Sequence, residues 1–232
     1  LACAQTIFAE RRPCGLFFIG AHPQCFTPAL ASLGIPCLLL TNNAAGLGIE
    51  NLSSVSVDDR AAAAALITRL ARRGHKVIGI IGGDPADSRP SQRRLSGCRD
   101  AMAQLRLPFD FDTQYAFADF SMEEGYQAAG QLVDKCPGLT AIFAMSDLMA
   151  LGAIRALQDR GLRVPQDMAV AGYDGIALGQ YSIPRLTTIR QDMGQLAQRS
   201  ARILLHNIQK SGNAVHEIVS FDLTEGESVR EL

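Results

Sequence analysis

The sequence lacks the features that mark membrane-spanning, exported and nucleic-acid-binding chains. Its apolar runs, such as residues 16–19 and 37–40, are far too short to cross a bilayer, and no basic-apolar-small signal peptide opens it. Basic residues are spread along the 232 residues, and the net charge is only −1, which argues against phosphate binding by these residues alone. With 47% apolar residues, the composition is that of an ordinary globular protein, and we expect it in the cytoplasm.

The cysteines show neither a CxxC pair nor a histidine spacing typical of zinc sites, so no metal is expected. The six are Cys3, Cys14, Cys25, Cys37, Cys98 and Cys136. A disulfide framework is formally possible, but a chain of this size does not need one, and several of these residues lie in apolar strand-like runs. We expect reduced, mostly buried thiols. A reactive cysteine is the less favoured alternative, because no histidine lies near any of them in sequence.

The common motifs of enzymes and nucleotide-binding proteins are also missing. The sequence has no Gly-x-Ser-x-Gly elbow, no GxGxxG fingerprint and no Walker pattern. Gly82-Gly83-Asp84 resembles a phosphate-cradling turn, but alone it is a weak indication. No cofactor is therefore expected, and the chain is not expected to be an enzyme, although an α/β scaffold by itself does not exclude one.

Short apolar runs alternate with helical patterns, which is typical of βαβ units and a parallel sheet buried on both faces. Strands are predicted at residues 16–20, 37–41, 55–57, 77–81, 114–116, 141–144, 168–172 and 215–223. Helices are predicted at residues 28–33, 60–73, 89–105, 122–136, 147–158 and 191–209. Asp58-Asp59 offers an N-cap to the second helix, and Ser121 with Glu124 has the form of a capping box.

Several sequence blocks occur in a fixed order along nearly the whole chain. They are residues 73–83, Arg94-Leu95-Ser96-Gly97, Ser146-Asp147, Val164-Pro165, Gly172-Tyr173-Asp174, and the Pro-x-Leu-Thr-Thr-Ile-x-Gln of residues 184–191. In this order and spacing, the chain resembles the effector-binding core of the LacI/GalR family of bacterial transcription regulators.

The resemblance implies the α/β fold of type I periplasmic binding proteins, with two doubly wound parallel-sheet lobes joined by three crossovers. The N-terminal lobe would comprise residues 1–58 and 191–216, and the C-terminal lobe residues 59–190 and 217–232. The N-terminal lobe would be incomplete, because the family places a strand, a helix and a second strand before the strand at 16–20. Residues 1–4 would be a remnant of that second strand, and the helix-turn-helix headpiece is absent.

Two charged residues carry the expected binding site. Arg94 would lie on the first turn of a helix after the strand at 77–81, and Asp174 ends a strand in Gly-Tyr-Asp-Gly. Ligands of open α/β sheets bind outside the carboxyl ends of strands, where a guanidinium donates hydrogen bonds and a carboxylate accepts them. The alternatives are a surface arginine and a turn aspartate. The resemblance implies that the two residues face one another across a cleft and are exposed to it, so that truncating either would leave no buried charge and folding intact.

Four further residues match positions that contact effectors in the family. Ser146-Asp147 stands where many members have Asn-Asp; Asp147 is equally interpretable as an N-cap of the following helix. Gln191 matches a residue that bridges lobe and ligand, with a plain helix-start glutamine as the alternative. Phe120 matches an aromatic that covers the ligand, since an aromatic face suits the C–H side of a sugar or a purine; packing in the core is its alternative.

The resemblance implies the effector-binding and dimerisation domain of a regulator, which binds a small molecule, a sugar or related polyol, in the interlobe cleft to control operator binding. Purines and sugar phosphates also serve as effectors in this family. The alternative is a periplasmic sugar-binding protein of a transporter, which the missing signal peptide and the regulator-like Val-Pro-x-Asp element disfavour. We expect a homodimer, no membrane partner, and operator DNA bound only through a headpiece absent from this chain.

Overall fold

The computed structural model describes residues 2–21, 25–26, 28–86, 89–210 and 212–232. The chain divides into two compact units: the smaller comprises Leu1–Asp58 and Asp192–Ser220, and the larger comprises Asp59–Gln191 and Phe221–Leu232. Two boundaries differ from the sequence prediction, because Gln191 belongs to the larger unit and residues 217–220 belong to the smaller.

Helices and strands alternate along most of the chain. In chain order they are α1 (Ala2–Arg11), β1 (Leu16–Ile19), a 3-10 helix (Pro28–Leu33), β2 (Cys37–Leu40), β3 (Leu52–Val57), α2 (Asp59–Arg72), β4 (Ile78–Gly82), α3 (Arg89–Gln104), α4 (Phe111–Gln114), β5 (Tyr115–Phe117), α5 (Met122–Lys135), β6 (Ala141–Ala144), α6 (Asp147–Asp159), β7 (Ala169–Asp174), α7 (Leu178–Tyr181), β8 (Thr187–Gln191), α8 (Met193–Lys210), β9 (His216–Val219) and β10 (Phe221–Thr224).

The smaller unit is built on a parallel sheet with strand order β1-β2-β3-β9. Its central strands are fully buried, and β3 uses serines there. The hydroxyl of Ser53 accepts a hydrogen bond from the Val215 N–H at 3.1 Å, and that of Ser54 accepts one from the Ala44 N–H at 3.0 Å. Loop N–H groups thus satisfy the hydroxyls of Ser53 and Ser54, whereas the buried hydroxyl of Ser56 has no hydrogen-bond partner among the described residues.

The beginning of the chain differs from the prediction. Residues 1–4 were expected to be a strand remnant, but α1 runs from Ala2 to Arg11, and Leu1 lies outside the described residues. The segment is rich in alanine and straight-chain residues, which favour helix over strand. A four-residue apolar pattern is too short to decide between the two.

The larger unit is built on a sheet with strand order β10-β8-β7-β6-β4-β5. All neighbours are parallel except β10, which runs antiparallel to β8. The strands β4 and β6 are buried along their whole length, as their continuous apolar runs predict. The order reverses at β4, which has β5 on one side and β6 on the other; ligands of such sheets bind outside the carboxyl ends at this switch point. The predicted α/β class with parallel sheets is confirmed.

Near the end of the chain, the structure corrects two predicted elements. The strand predicted at 215–223 is two strands that join different sheets, since β9 pairs with β3 and β10 pairs with β8. The helix predicted from residue 191 begins at Met193, because Gln191 ends β8 and pairs with Phe221 in the antiparallel ladder. Apolar periodicity reports that a segment is extended, but not which sheet it joins.

The prediction that the cysteines are mostly buried holds for three of the six. All six are free thiols, of which Cys37, Cys98 and Cys136 are buried, while Cys3, Cys14 and Cys25 are exposed. Burial raises the pKa of Cys37 to about 11, so this thiol stays protonated at neutral pH.

Candidate ligand site

The guanidinium of Arg94 lies at the switch point of the larger sheet. Arg94 is in the second turn of α3 rather than the first, and it is only 6% exposed. Its Nε donates to Oδ1 of Asp59 at 2.9 Å, and its Nη1 donates to the backbone oxygen of Met145, the residue after β6. Among the described residues, Nη2 has no hydrogen-bond partner. Two sides of the guanidinium are therefore fixed by the protein.

Asp59 and Tyr173 hold Arg94 in place. Asp59 begins α2, and its Oδ1 also accepts a hydrogen bond from the Tyr173 hydroxyl at 2.8 Å. The Tyr173 ring in β7 lies against the guanidinium, with Arg94 Cζ 3.6 Å from the ring centroid. The expectation that Arg94 is exposed is thus wrong, and truncating it would leave the buried Asp59 carboxylate without this partner.

Arg94 and Tyr173 keep their protons over the physiological pH range. Burial by itself lowers the pKa of Arg94. The neighbouring Asp59, Tyr173 and Asp174 raise it by more than burial lowers it, so the net shift is upward and the guanidinium stays cationic. Burial raises the pKa of Tyr173 well above its usual value, although Arg94 opposes the shift. Tyr173 is therefore a permanent hydrogen-bond donor to Asp59.

Asp174 and Gln191 form a second pair at the same edge of the sheet. They are the last residues of β7 and β8, and Gln191 Nε2 donates to Asp174 Oδ1 at 2.8 Å. Burial raises the pKa of Asp174, against the lowering effects of Arg94 and the Gln191 hydrogen bond. Gln191 is buried, and its Oε1 has no partner among the described residues. The pair thus presents acceptors beside the Arg94 donor.

Ser146 and Asp147 have internal roles in the structure. The hydroxyl of Ser146 caps α6 by accepting from the Met149 N–H at 3.2 Å, so the interpretation of Asp147 as the N-cap is wrong. Asp147 is fully buried. Its Oδ1 accepts from the Thr188 hydroxyl at 2.6 Å, and its Oδ2 accepts from the Ile176 N–H at 2.8 Å. Burial raises the pKa of Asp147 to about 6, against the lowering effect of these two hydrogen bonds and of a third with the Gly175 backbone.

Phe120 stands apart from these hydrogen-bonded groups. It lies half-buried in the bend between β5 and α5, with φ of 50°, directly before Ser121. Ser121 is the N-cap of α5, and its hydroxyl accepts from the Glu124 N–H at 3.1 Å, as the capping-box pattern predicts. Phe120 is therefore held at the start of a capped helix.

The structure brings Arg94, Asp174 and Gln191 into one cluster and adds two residues that the sequence did not indicate. Asp59 was interpreted only as a helix cap, and Tyr173 only as part of a family motif. There was little indication of either contact in the sequence, because Asp59 lies 35 residues before Arg94 and 114 residues before Tyr173. Within the described residues, no group of three or more His, Cys, Asp or Glu side chains could hold a metal ion. The same residues contain no helix with the length and apolar character of a membrane span.

Comparison with known proteins gives a consistent result. Residues 67–229 match a family model described as a periplasmic binding protein-like domain. The chain is 34% identical over 163 residues to the HTH-type transcriptional regulator CelR of Thermobifida fusca, covering 70% of this chain and 47% of that protein. The chain spans between 44% and 65% of the length of the first curated relatives that it matches.

Solved structures agree with this match. The structure of a CelR–cellobiose complex superposes with a TM-score of 0.88 at 29% identity, covering 98% of this chain and 69% of that chain. A LacI family transcriptional regulator from Enterococcus faecium with bound ribose superposes with a TM-score of 0.84 at 27% identity, covering 97% of this chain and 83% of that chain.

Proposed function

This chain belongs to the periplasmic binding protein-like family in the form found in LacI-family transcriptional regulators, and on that premise we propose that it binds the effector of such a regulator. In this proposal, a helix-turn-helix part of the full-length, cytoplasmic regulator binds operator DNA, and effector binding controls it. The relatives are transcriptional regulators, which favours this function over that of a transporter's sugar-binding protein. Catalysis is not part of the proposal.

The observation that carries the proposal is the cluster of Arg94, Asp174 and Gln191 at the carboxyl edge of the larger sheet. Arg94 offers Nη2 as a donor, while Asp174 and Gln191 each retain an acceptor oxygen. A sugar hydroxyl both donates and accepts, so adjacent hydroxyls satisfy this mixed set. The carboxylates of Asp59 and Asp174 both lie near the single guanidinium, which disfavours an anionic effector. We therefore propose a neutral sugar or related polyol.

The other predicted residues have secondary parts in this proposal. Phe120 covers the apolar C–H face of the sugar, where an aromatic ring gives favourable contact. The Ser146 hydroxyl accepts a hydrogen bond in capping α6, and in this proposal it donates its own proton to the effector. Asp147 is fully buried and acts through its neighbours rather than by contact.

The proposal includes a homodimer formed through the larger unit. Large apolar side chains are exposed along α7 and the loop that follows it: Tyr181 is 84% exposed, and Ile183 is 88% exposed. Exposed apolar residues that lie close together in sequence are typical of protein–protein interfaces. Two-fold symmetric dimers are the commonest oligomers, and a regulator that reads a symmetric operator needs one.

Calorimetry with the 232-residue chain tests the effector class. The titrants are cellobiose, maltose, D-ribose, D-glucose, glucose 6-phosphate and hypoxanthine. We expect a neutral sugar to bind. Asp174→Ala or Arg94→Ala should weaken sugar affinity about ten- to a hundredfold, because each removes hydrogen bonds to a charged group.

Asp174→Asn removes a negative charge from the site and should therefore improve glucose 6-phosphate binding. Binding of hypoxanthine or glucose 6-phosphate alone would show that the class is wrong, and no binding by any of the six would count against the effector function.

A further inference from the structure

The backbone of Asp174 adopts a conformation that a side chain other than glycine rarely takes. Its φ is 116°, in the region that favours glycine, and the next residue, Gly175, has φ of 74°. Such a conformation is unfavourable for aspartate and persists only where neighbouring groups hold the backbone in place.

Asp147 contacts the turn directly after Asp174. Its Oδ2 accepts from the Ile176 N–H at 2.8 Å, and its Oδ1 accepts from the Thr188 hydroxyl at 2.6 Å. Thr188 lies in β8 directly opposite Gly172 of β7. The carboxylate thus joins the neighbouring strand to the turn that carries Asp174.

The strand β7 leaves room for this carboxylate at Gly172. A Cβ atom at Gly172 would overlap Asp147 Oδ1 and crowd the Leu186 side chain. Alanine in place of this glycine would therefore displace the carboxylate from its position above the strand. Glycine at this point, in Gly172-Tyr173-Asp174, is consistent with a requirement for the Asp147 side chain.

Capping does not explain the burial of Asp147. Ser146 already caps α6, and burying a carboxylate is unfavourable unless hydrogen bonds compensate it. Burial raises the pKa of Asp147 even though three hydrogen bonds, with Thr188 and with the backbone of Ile176 and Gly175, act against the shift, which reflects that cost. The bonds that offset the cost come from Thr188 and from the turn.

We propose that Asp147 is a positioning residue for the effector site: its carboxylate fixes the turn at residues 175–176 and thereby directs the Asp174 side chain toward the ligand. The inference rests on the proposed function, since it takes Asp174 as a ligand contact. Asp147 itself does not touch the effector. Its influence on affinity therefore passes through Asp174.

Amide hydrogen exchange measured by NMR tests the positioning step without a ligand. In Asp147→Ala, the Ile176 amide should exchange about tenfold faster relative to amides of β6, because it loses its acceptor. Asp147→Asn should restore slow exchange, since asparagine can accept from Ile176 and donate to the Thr188 oxygen. Asp134→Ala, at an exposed aspartate of α5, is the matched control and should change neither amide set. Unchanged Ile176 exchange in Asp147→Ala would overturn the proposal.

A second variant keeps the test decisive if Asp147→Ala does not fold. Thr188→Val removes the hydroxyl donor and keeps the shape of the side chain, whereas Thr188→Ser keeps the donor. We expect faster Ile176 exchange in the valine variant and native exchange in the serine variant. Native exchange in both would overturn the proposal.

A double-mutant cycle with cellobiose and D-ribose tests the link to binding. Asp147→Ala should weaken binding about tenfold in the native background and not further in an Asp174→Ala background. Additive losses would show that Asp147 acts elsewhere and would overturn the inference. If Asp174→Ala binds sugar normally, or neither sugar binds, the proposed function fails for these sugars, and the exchange data alone decide whether Asp147 positions the turn.

Discussion

Arg94 and Tyr173 share one acceptor while stacking on each other. The guanidinium and the hydroxyl both donate to Oδ1 of Asp59, and Arg94 Cζ lies 3.6 Å from the tyrosine ring centroid. The ring covers one side of the guanidinium, and the shared carboxylate fixes the position of its Nε. One edge of the cation, with Nη2, has no hydrogen-bond partner among the described residues, and the proposed effector would bind there. A donor fixed in this way loses little side-chain freedom on binding.

Tyr173→Phe tests the shared acceptor, because it removes the hydroxyl and keeps the stacked ring. We expect a loss of about 1.5–3 kcal/mol in the free energy of unfolding, measured with urea, since the lost bond is to a charged group. Tyr115→Phe is the matched control: that hydroxyl donates to the neutral backbone oxygen of Gly83 at 2.6 Å, and its loss should cost about 0.5–1.5 kcal/mol. A smaller loss for Tyr173→Phe than for Tyr115→Phe would contradict this account.

Arg94→Ala should destabilise the fold as well as weaken effector binding. Arg94 and Asp59 are both buried, so the substitution leaves the Asp59 carboxylate buried without its cationic partner. We expect the free energy of unfolding to fall by about 3–5 kcal/mol. Arg163→Ala breaks the exposed pair with Asp167 and should have a much smaller effect on the free energy of unfolding, because solvent screens the pair. Urea unfolding of both variants checks the contrast. Near-native stability of Arg94→Ala would mean that Asp59 finds another partner.

Strand positions were predictable because a buried parallel strand is a continuous apolar run, and the predicted strand at 141–144 coincides with β6. The edge position of Asp174 follows from the end of such a run, whereas Gln191 was predicted to begin a helix and instead ends β8. The same patterns do not distinguish two short strands from one long strand. The break between β9 and β10 therefore had no local signal, since each strand is defined by its distant partner.

The side-chain contacts of the site were harder to predict than its position. The choice between Ser146 and Asp147 as the cap depends on a shift of a single residue, and either side chain suits the role. Asp59 looks like a helix-start aspartate in sequence; only the fold brings it to Arg94 and Tyr173. Burial of Arg94 was missed for the same reason, because a carboxylate partner that permits it comes from another helix.

Effector affinity should fall as the solution is acidified, because Asp174 accepts hydrogen bonds only when it is ionised. Burial raises the pKa of Asp174 above its ordinary value of 3.8, so affinity is fully present well above that raised pKa and is lost as the pH falls through it. Calorimetric titrations with the tightest-binding sugar, from about pH 8 down to about pH 5, check the trend. Asp174→Asn should bind more weakly and show a shallower profile, in which the remaining pH dependence comes from Asp147, whose pKa is raised to about 6. An equally steep profile in that variant would place the titrating group elsewhere.

Charge introduced on the exposed surface of α7 and of the loop after it should separate the proposed dimer. Among the described residues, Tyr181 in α7 and Ile183 in the loop are the most exposed large apolar side chains, and an aspartate at either position would be desolvated in an apolar interface. Light scattering at micromolar protein should show a dimer for the native chain and a monomer for Tyr181→Asp and Ile183→Asp. Leu105→Asp, at an exposed leucine elsewhere in the larger unit, is the matched control and should remain dimeric.

The outcomes separate the oligomeric state from the surface that forms it. A native chain that stays monomeric would contradict the dimer itself. A dimer that persists in both Tyr181→Asp and Ile183→Asp would contradict this surface, because burying two uncompensated carboxylates, one from each copy, costs more than a typical interface residue contributes. Effector affinity should be unchanged in both variants, since neither residue belongs to the proposed binding site. A loss of affinity on separation would show that the site depends on the second copy.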